Sequence, residues 1–189
     1  QRITDSIQKS ELERQIDALK TTDNLKKEEL QAQLTALNEK EVKRLAQKKA
    51  KIDSLKNTTP GFPVFGFFND TLFSRYSKLG SFSPKERAAV ISDRINRLPD
   101  NFDFGANSLK TEEVETSIDI VLGERIIMSV TETDALWNDL SKTELAEKYK
   151  IIITEAVLRY KDETSFSTLA KQIGLAALVL LVIVLLIFY

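Results

Sequence analysis

The hydrophobic positions of residues 1–57 recur at helical spacing, and this segment contains neither Gly nor Pro. Leu30, Leu34 and Leu37 are typical of the apolar stripe, which predicts a coiled coil. The stripe slips at Thr21–Asn24, where Thr, Asp and Asn favour caps and turns. The pattern therefore predicts either one long helix with a stutter or a helical hairpin.

A narrow apolar stripe needs a second helix to cover it, so we expect residues 1–57 to form a homo-oligomer. The alternative is a single solvated helix that lies on its own domain. Basic residues crowd the end of the segment, namely Lys40, Lys43, Arg44, Lys48, Lys49, Lys51 and Lys56. Acidic residues interrupt them and no aromatic residue alternates with them. A solvated helix face is therefore predicted in preference to contact with nucleic acid or anionic lipid.

The run Asn57–Gly61 ends the helical pattern and predicts a domain boundary, because proline does not continue a helix. Beyond it, residues 60–162 predict a small α+β module. The apolar run 62–68 and the alternating run 71–76 predict two strands that turn at Asn69–Asp70. The phenylalanines of this part are interpreted as core, and a patch that faces a membrane or a partner protein is the alternative.

A capping box at Ser83–Glu86 opens a predicted helix, with Pro84 at its first position and Pro99 as its stop. Its predicted apolar face consists of Ala88, Ile91, Ile95 and Leu98. Arg87 and Arg94 share another face of the same helix.

A second capping box at Ser141–Glu144 opens a helix that should run to about Tyr160. Its predicted apolar face consists of Leu145, Tyr149, Ile152 and Ala156. Before this helix, Ser117–Leu122 and Arg125–Thr131 alternate apolar residues with polar or smaller ones. The loop Gly123–Glu124 between them has the signature of a type II′ turn, so the pattern predicts a β-hairpin.

Acidic residues surround this hairpin, namely Glu112, Glu113, Glu115, Asp119, Glu124, Glu132 and Asp134. Paired carboxylates can serve a glycosidase or a cation site. No metal-ligand spacing accompanies them, so they are interpreted as a solubilising strand face. Asp100–Gly105 shares oxygen ligands with calcium-binding loops, but its glycine falls early and no glutamate completes the set. It is interpreted as a loop.

Histidine and cysteine are both absent from the chain. Their absence removes the commonest general base, thiolate catalysis, disulfides and Cys-ligated metals. We therefore expect no enzyme, no cofactor and no catalytic, cofactor-binding or metal-ligating residue. The net charge of -1 gives no reason to expect a nucleic-acid partner.

The last part of the chain, Ile173–Tyr189, has no charged or strongly polar residue. A bilayer core takes about 20 apolar residues, so residues 166–189 predict a transmembrane helix with the lipid bilayer as its partner. A buried core helix is the alternative. The short polar stretch 161–165 would hold the module close to the bilayer.

Gln1 begins the chain and Met128 is its one methionine, so we expect that a signal peptide has been removed upstream. This expectation makes residues 1–165 periplasmic, and a truncated chain is the alternative. We also expect the natural polypeptide to continue beyond the end of this sequence.

Three motifs follow one another along the module, namely Asp70-Thr71-Leu72-Phe73, Gly80-Ser81-Phe82-Ser83-Pro84-Lys85-Glu86-Arg87-Ala88 and Ile91-Ser92-Asp93-Arg94-Ile95. Their order resembles the extracytoplasmic region in front of the channel in some bacterial small-conductance mechanosensitive channels (MscS-like). In that family, a hairpin like Asp119–Val130 and a helix start like Leu145–Tyr149 come next, followed by the first of several membrane helices. The resemblance covers residues 69–189 and leaves out the coiled coil.

The resemblance implies a subunit of a homo-oligomeric, typically heptameric, channel that releases solutes when membrane tension rises. The pore helix and the cytoplasmic vestibule of that family have no counterpart in this sequence, so no pore or gating residue is implied. The first hypothesis is therefore the periplasmic domain and first membrane helix of such a subunit in the bacterial inner membrane, contributing to assembly and osmotic response.

A second hypothesis is a membrane-anchored coiled-coil protein that acts as a tether or complex subunit without channel activity, its N-terminal side cytoplasmic. Other envelope proteins are further candidate partners. A third hypothesis is an enzyme that acts on envelope material through Asp and Glu.

Overall fold

The computed structural model describes residues 2–18, 24–100 and 103–165, together with residues 173, 183 and 184. Its helices are α1 (Arg2–Ala18), α2 (Asn24–Leu55), α3 (Pro84–Asn96), α4 (Glu132–Trp137) and α5 (Lys142–Glu163). Its strands are β1 (Phe62–Phe65), β2 (Thr71–Arg75), β3 (Leu109–Glu113), β4 (Ser117–Leu122) and β5 (Arg125–Thr131). We refer to α1 and α2 together as the arm, and to residues 60–163 as the module.

The arm is a helical hairpin, because α1 packs against α2. The Lys40 Nζ of α2 lies 3.7 Å from the Asp5 Oδ1 in the first turn of α1, although the two residues are far apart along the chain. Leu12 of α1 and Leu30 of α2 are buried. Of the two arrangements that the pattern allows, the chain adopts the hairpin; the predicted turn residues 21–23 lie outside the described residues.

β1 and β2 pair antiparallel as predicted, but the turn between them is longer than Asn69–Asp70. It begins at Gly66, whose N–H donates to the Asp70 carbonyl at 2.9 Å. A Cβ at position 66 would lie 2.5 Å from the Asp70 carboxylate, so a larger residue here would have to displace that side chain. Asn69 has a φ of 59°, in the left-handed region that asparagine tolerates better than most residues.

The second sheet has the order β3-β4-β5, with all neighbours antiparallel. The predicted hairpin of β4 and β5 is confirmed, and Gly123 in its loop has a φ of 57°. The strand β3 was not predicted from the sequence. Its residues Leu-Lys-Thr-Glu-Glu include one β-branched side chain. Pairing with β4, more than local propensity, makes this segment a strand.

A β-bulge changes which residues of β5 face the core. Met128 and Ile126 pair with consecutive residues of β4, so Ile127 is an extra residue on β5. Ile127, Met128 and Val130 are buried, whereas Ile126 is exposed. The predicted alternation, which placed Ile126 on the same face as Met128 and Val130, is wrong at Ile126 because the extra residue shifts the phase.

Both predicted capping boxes are confirmed. At Ser83–Glu86 and at Ser141–Glu144, the serine hydroxyl accepts from the glutamate N–H at 3.2 Å. In return, the serine N–H donates to the glutamate carboxylate at 2.8 and 2.9 Å respectively. α3 ends at Asn96, slightly before the predicted stop, and a single turn of 3-10 helix follows at Leu98–Asp100.

One hydrophobic core joins the two sheets to α3 and α5. The four apolar positions predicted for α3 are all buried in it. The face predicted for α5 is wrong by one residue in its second half, because Ile153 and Val157 are buried while Ile152 and Ala156 are half-buried. The largest fully buried apolar side chains of the core include Tyr149, Ile95, Leu98, Ile120, Ile127, Met128 and Leu145.

The phenylalanine-rich segment is divided between the core and the surface. Phe62, Phe67 and Phe73 are partly buried and pack against the core. Phe73 stacks on Tyr149, with ring centroids 4.0 Å apart. Phe68 is exposed, so the core interpretation applies to part of the segment.

The predicted fold class needs one correction. None of the helices in the described part of the chain is long and apolar enough to cross a membrane, so the C-terminal transmembrane helix is removed from the description of the fold. The longest of them, α2, has 32 residues, but Lys, Arg, Glu and Asp are spread over most of its length, which leaves it without a long apolar run. Most of the predicted span 166–189 lies outside the described residues.

Candidate interaction site

The sequence singles out no catalytic, cofactor-binding or metal-ligating residue. Among the residues with a described placement, the structure forms no group of three or more potential metal ligands. The features that distinguish this surface and interior are charges buried away from water and apolar side chains exposed to it.

Asp134, Arg75 and Arg87 form a group that we call the buried charge cluster. Their side chains are 3%, 1% and 6% exposed respectively. The Asp134 carboxylate accepts from Arg75 Nη2 at 2.7 Å and from Arg87 Nη2 at 3.0 Å. The interpretation of the acidic residues as a solubilising strand face is therefore wrong for Asp134, and also for Asp119 and Glu132, which are buried as well.

Three elements meet at the buried charge cluster. Arg75 ends β2, Arg87 lies in the first turn of α3, and Asp134 lies in the first turn of α4. Thr131 caps α4, because its hydroxyl accepts from the Asp134 N–H and its own N–H donates to the Asp134 carboxylate at 2.9 Å. The helix α4 was not predicted from the sequence, although Thr131-Glu132-Thr133-Asp134 matches the general capping-box signature.

The ionisation of the cluster favours a structural role. Burial raises the pKa of Asp134, but the charge of Arg75 and the hydrogen bonds from Arg87 more than offset it, so this pKa lies below its ordinary value. Burial lowers the pKa of the Arg75 guanidinium, and Asp134 opposes that change. A carboxylate held ionised between two guanidinium groups is a poor general base, so the cluster positions the elements around it.

The buried charge cluster also fixes the loop that follows β2. Arg87 Nη1 donates to the carbonyl and to the hydroxyl of Ser77, both at 2.8 Å. Further along, Leu79 and Phe82 each donate an N–H to the carbonyl of the other at 3.0 Å. Gly80 between them has a φ of 58°, a backbone conformation that glycine adopts without steric cost in a tight turn. The loop therefore ends in a defined tip that exposes Leu79 and Phe82.

An apolar groove lies between this tip, α3 and β5, and we call it the edge groove. Its volume is about 310 Å³, and its exposed apolar side chains are Leu79, Phe82, Val90 and Ile126. Single exposed apolar residues are normal on protein surfaces, whereas several in one groove are typical of interaction sites. Ile126 belongs to the groove because of the bulge at Ile127, and bulges are frequent next to functional sites.

Arginine side chains close the outer edge of β5. Arg94 Nη1 donates to the carbonyls of Ile126 and Ile127 at 3.1 and 3.3 Å. Arg87 Nη2 donates to the Ser129 carbonyl at 3.2 Å. An added strand would need these carbonyl oxygens. The edge groove therefore favours partners that pack side chains into it over partners that extend the sheet.

The arm contacts the module through Lys48 and Lys49 of α2 and through Lys56, which directly follows α2, and we call this contact the arm clamp. Lys48 Nζ donates to the Thr133 hydroxyl at 2.7 Å, and Lys49 and Lys56 both donate to the Asp139 carboxylate. These hydrogen bonds lower the pKa of Asp139 to about 2. The three lysines were predicted to lie on a solvated helix face, and this prediction is wrong because they bind the module.

A family model described as a domain of unknown function, DUF8459, matches residues 63–160. The match begins in β1 and ends in α5, so it contains the buried charge cluster and the edge groove and leaves out the arm. No curated protein and no solved structure matches the chain.

Proposed function

We propose a function for this chain from the geometry of its surfaces. The chain belongs to the DUF8459 family of domains of unknown function. In this proposal the chain is a non-catalytic assembly domain. Its arm joins copies of the chain to one another, and its module is the folded body that the arm clamp ties to that contact.

The incomplete burial of the arm is the observation that carries the proposal. α1 has 17 residues and α2 has 32, yet among their described side chains only Leu12, Leu30 and Ile52 are buried apolar residues. Val42 of α2 is 64% exposed, and Ile7 of α1 is also exposed. Helices in proteins gain most of their stability when an apolar face is packed against another element. Packing of further helices against this long hairpin would therefore stabilise it.

The arm clamp supports an assembly role because it fixes the direction of the arm. Lys49, near the end of α2, and Lys56, directly after the helix, bind the same carboxylate, that of Asp139. Ile52 lies between these lysines in the sequence and is buried. A contact made by the arm of one copy would therefore also set the orientation of its module.

The resemblance to MscS-like channels supplies the finer form of the proposal. We propose that the chain is the periplasmic accessory domain of such a channel subunit and contributes to its homo-oligomeric assembly. The residues that carry the resemblance include Arg87 in the buried charge cluster, and Ile91 and Ile95 in the core. They build the module, so the resemblance supports a shared domain and assigns no pore residue.

The arm contact is tested with Ile7→Lys and Val42→Lys combined in the full chain, because two charges at a helix interface oppose its burial. Sedimentation equilibrium in a mild detergent should show a dissociation constant at least about tenfold weaker than that of the unchanged chain. Gln33→Lys adds a charge at an exposed position of α2 that is already polar, and it should leave association unchanged. A monomeric unchanged chain at high concentration would contradict the proposal.

The proposed role in an MscS-like channel is tested separately, by survival of bacterial cells. The natural gene product should improve survival of bacteria that lack their mechanosensitive channels when they are transferred from high to low osmolarity. An oligomer that gives no such protection contradicts the channel role and leaves the second hypothesis, an assembly protein without channel activity.

A further inference from the structure

We infer that the edge groove of one copy binds the β3–β4 turn of a second copy, so that modules associate head to tail. This inference rests on the proposed assembly role and adds a second contact to it. The occupant is residues 112–116, which we call the Val114 turn.

The Val114 turn presents one apolar side chain among carboxylates. The Val114 N–H donates to the Ser117 carbonyl at 2.9 Å, and the Ser117 N–H donates back at 3.3 Å, which closes the turn. Val114 is 47% exposed at its tip. Glu112, Glu113 and Glu115 beside it are exposed as well.

The edge groove has the complementary composition. Its apolar side chains offer a surface for valine, and Arg94 lies among them. Lys78 and Arg125 adjoin its residues Leu79 and Ile126 in the sequence and are exposed. The groove therefore combines an apolar centre with the charge of Arg94, whereas the Val114 turn combines an apolar tip with acidic flanks.

The charges on both surfaces have no opposite partner within the described residues. No ion pair there engages the three glutamates of the Val114 turn. The same holds for Arg94, Lys78 and Arg125, whereas the exposed Arg97 is paired with Asp93 at 2.8 Å. Opposite charges that find no partner within one copy are available to attract the matching surface of another.

The two surfaces belong to different parts of one sheet. The Val114 turn joins β3 to β4, the edge groove borders β5, and β4 lies between β3 and β5. Val114 is exposed and is not among the residues that line the groove, so the turn of one copy does not fill the groove of the same copy. A contact between different surfaces leaves one groove and one turn open in each pair, so further copies add until a ring closes or a filament grows.

The absence of cysteine makes a cross-linking test direct. Phe82→Cys and Val114→Cys are combined in the full chain, which is kept in mild detergent and exposed to a mild oxidant. Both side chains are exposed and outside the core, so the variant should fold. We expect a ladder of disulfide-linked dimers, trimers and larger species on a non-reducing gel, which collapses on reduction.

Two matched variants decide whether the contact is the one inferred. Val114→Cys combined with Ile151→Cys, where Ile151 is an equally exposed apolar residue on α5, should give no ladder. Phe82→Cys alone should give no dimer, because a groove does not meet a groove in a head-to-tail contact. No ladder from the first pair, an equal ladder from the Ile151 pair, or an efficient Phe82→Cys dimer would each overturn the inference.

Mixing experiments give the stoichiometry. Phe82→Ser damages the groove and keeps the turn, whereas Val114→Ser damages the turn and keeps the groove. Each variant alone lacks one half of the contact, so it should associate at least about tenfold more weakly there. Their equimolar mixture, in the Ile7→Lys and Val42→Lys background, should form heterodimers and nothing larger.

Failure of this inference is distinguishable from failure of the proposed function. Oligomers that depend on the arm but give no cysteine ladder overturn the groove contact and leave the arm proposal intact. If the cysteine ladder forms and the Ile7→Lys and Val42→Lys substitutions do not weaken association, the groove contact is supported and the arm proposal is contradicted.

Discussion

Asp134 is one acidic residue among several around the β4–β5 hairpin, and its surroundings separate it from most of the others. Glu113 and Glu115 face water, whereas Asp134 lies between two buried guanidinium groups. Each of those guanidinium groups depends on it, because charges in the interior are tolerated when they are paired and hydrogen-bonded.

Asp134→Asn should therefore destabilise the module strongly. The substitution keeps the size of the side chain and leaves Arg75 and Arg87 as buried charges without a counter-ion, which costs about 3 kcal/mol or more. Urea unfolding, followed by circular dichroism, measures the change. Asp93→Asn is the matched control, because Asp93 pairs with Arg97 on the surface and such pairs contribute about 0–1 kcal/mol. Equal effects of the two substitutions would contradict a central role for Asp134.

Asp139 is the residue through which pH should control the arm clamp. Its folded pKa of about 2 lies below the ordinary value of 3.8, so the clamp is fully present above about pH 4 and is lost as the pH falls through about 2. Asp139 also raises the pKa of Lys49 and of Lys56, so at the alkaline end the contact is lost as the lysines deprotonate. Asp53 on α2 shares both lysines.

Fluorescence of Trp137, the one tryptophan of the chain, should report this acid transition, because it lies in α4, which contacts α2. Asp139→Asn should abolish the change between about pH 4 and 2 while it leaves the fold intact. Asparagine suits this position because the backbone there has a φ of 55°, which asparagine adopts more readily than most residues. An unchanged acid transition in the variant would assign it to another group.

At the scale of elements, the features that depend on neighbouring residues could be predicted from the sequence. The boxes at Ser83–Glu86 and Ser141–Glu144 and the loop Gly123–Glu124 each encode their structure within four residues or fewer. α4 could have been predicted in the same way from Thr131 and Asp134, since its cap is equally local.

Other elements depend on residues that are distant along the chain. β3 is a strand because β4 pairs with it, and no periodicity in Leu109–Glu113 indicates this. The bulge at Ile127 inverts the expected exposure of Ile126, and an alternating pattern gives no sign of an inserted residue. The edge groove therefore could not be predicted, because it needs both the bulge and the tip at Leu79 and Phe82 in place.

At the scale of the whole molecule, the arm and the module differ in how they are stabilised. The core consists of residues from Phe62 onward and includes none of the described residues of the arm. The arm is joined to the module by the arm clamp and by a long ion pair of 3.9 Å between Arg44 and Glu132, and Ile52 of α2 is buried. The Asp139 carboxylate of the arm clamp is exposed, and exposed ion pairs contribute little to stability, so the module should depend on the arm clamp only weakly.

Deletion of residues 1–57 should therefore leave the module folded. Near-ultraviolet circular dichroism should keep the signal of Trp137, whose ring stacks on Tyr76 at 5.1 Å, and thermal unfolding should remain cooperative at a lower melting temperature. The reason is that the deletion removes the arm clamp, the Arg44–Glu132 pair and the burial of Ile52, worth roughly 1.5–3 kcal/mol for one buried side chain, and leaves the residues of the core in place. Leu145→Ala removes a fully buried core side chain and should cost about 2–5 kcal/mol, which sets the scale for comparison. If the truncated chain loses its near-ultraviolet signal, the arm is an integral part of the fold, and a contact between arms would then stabilise the module as well as join its copies.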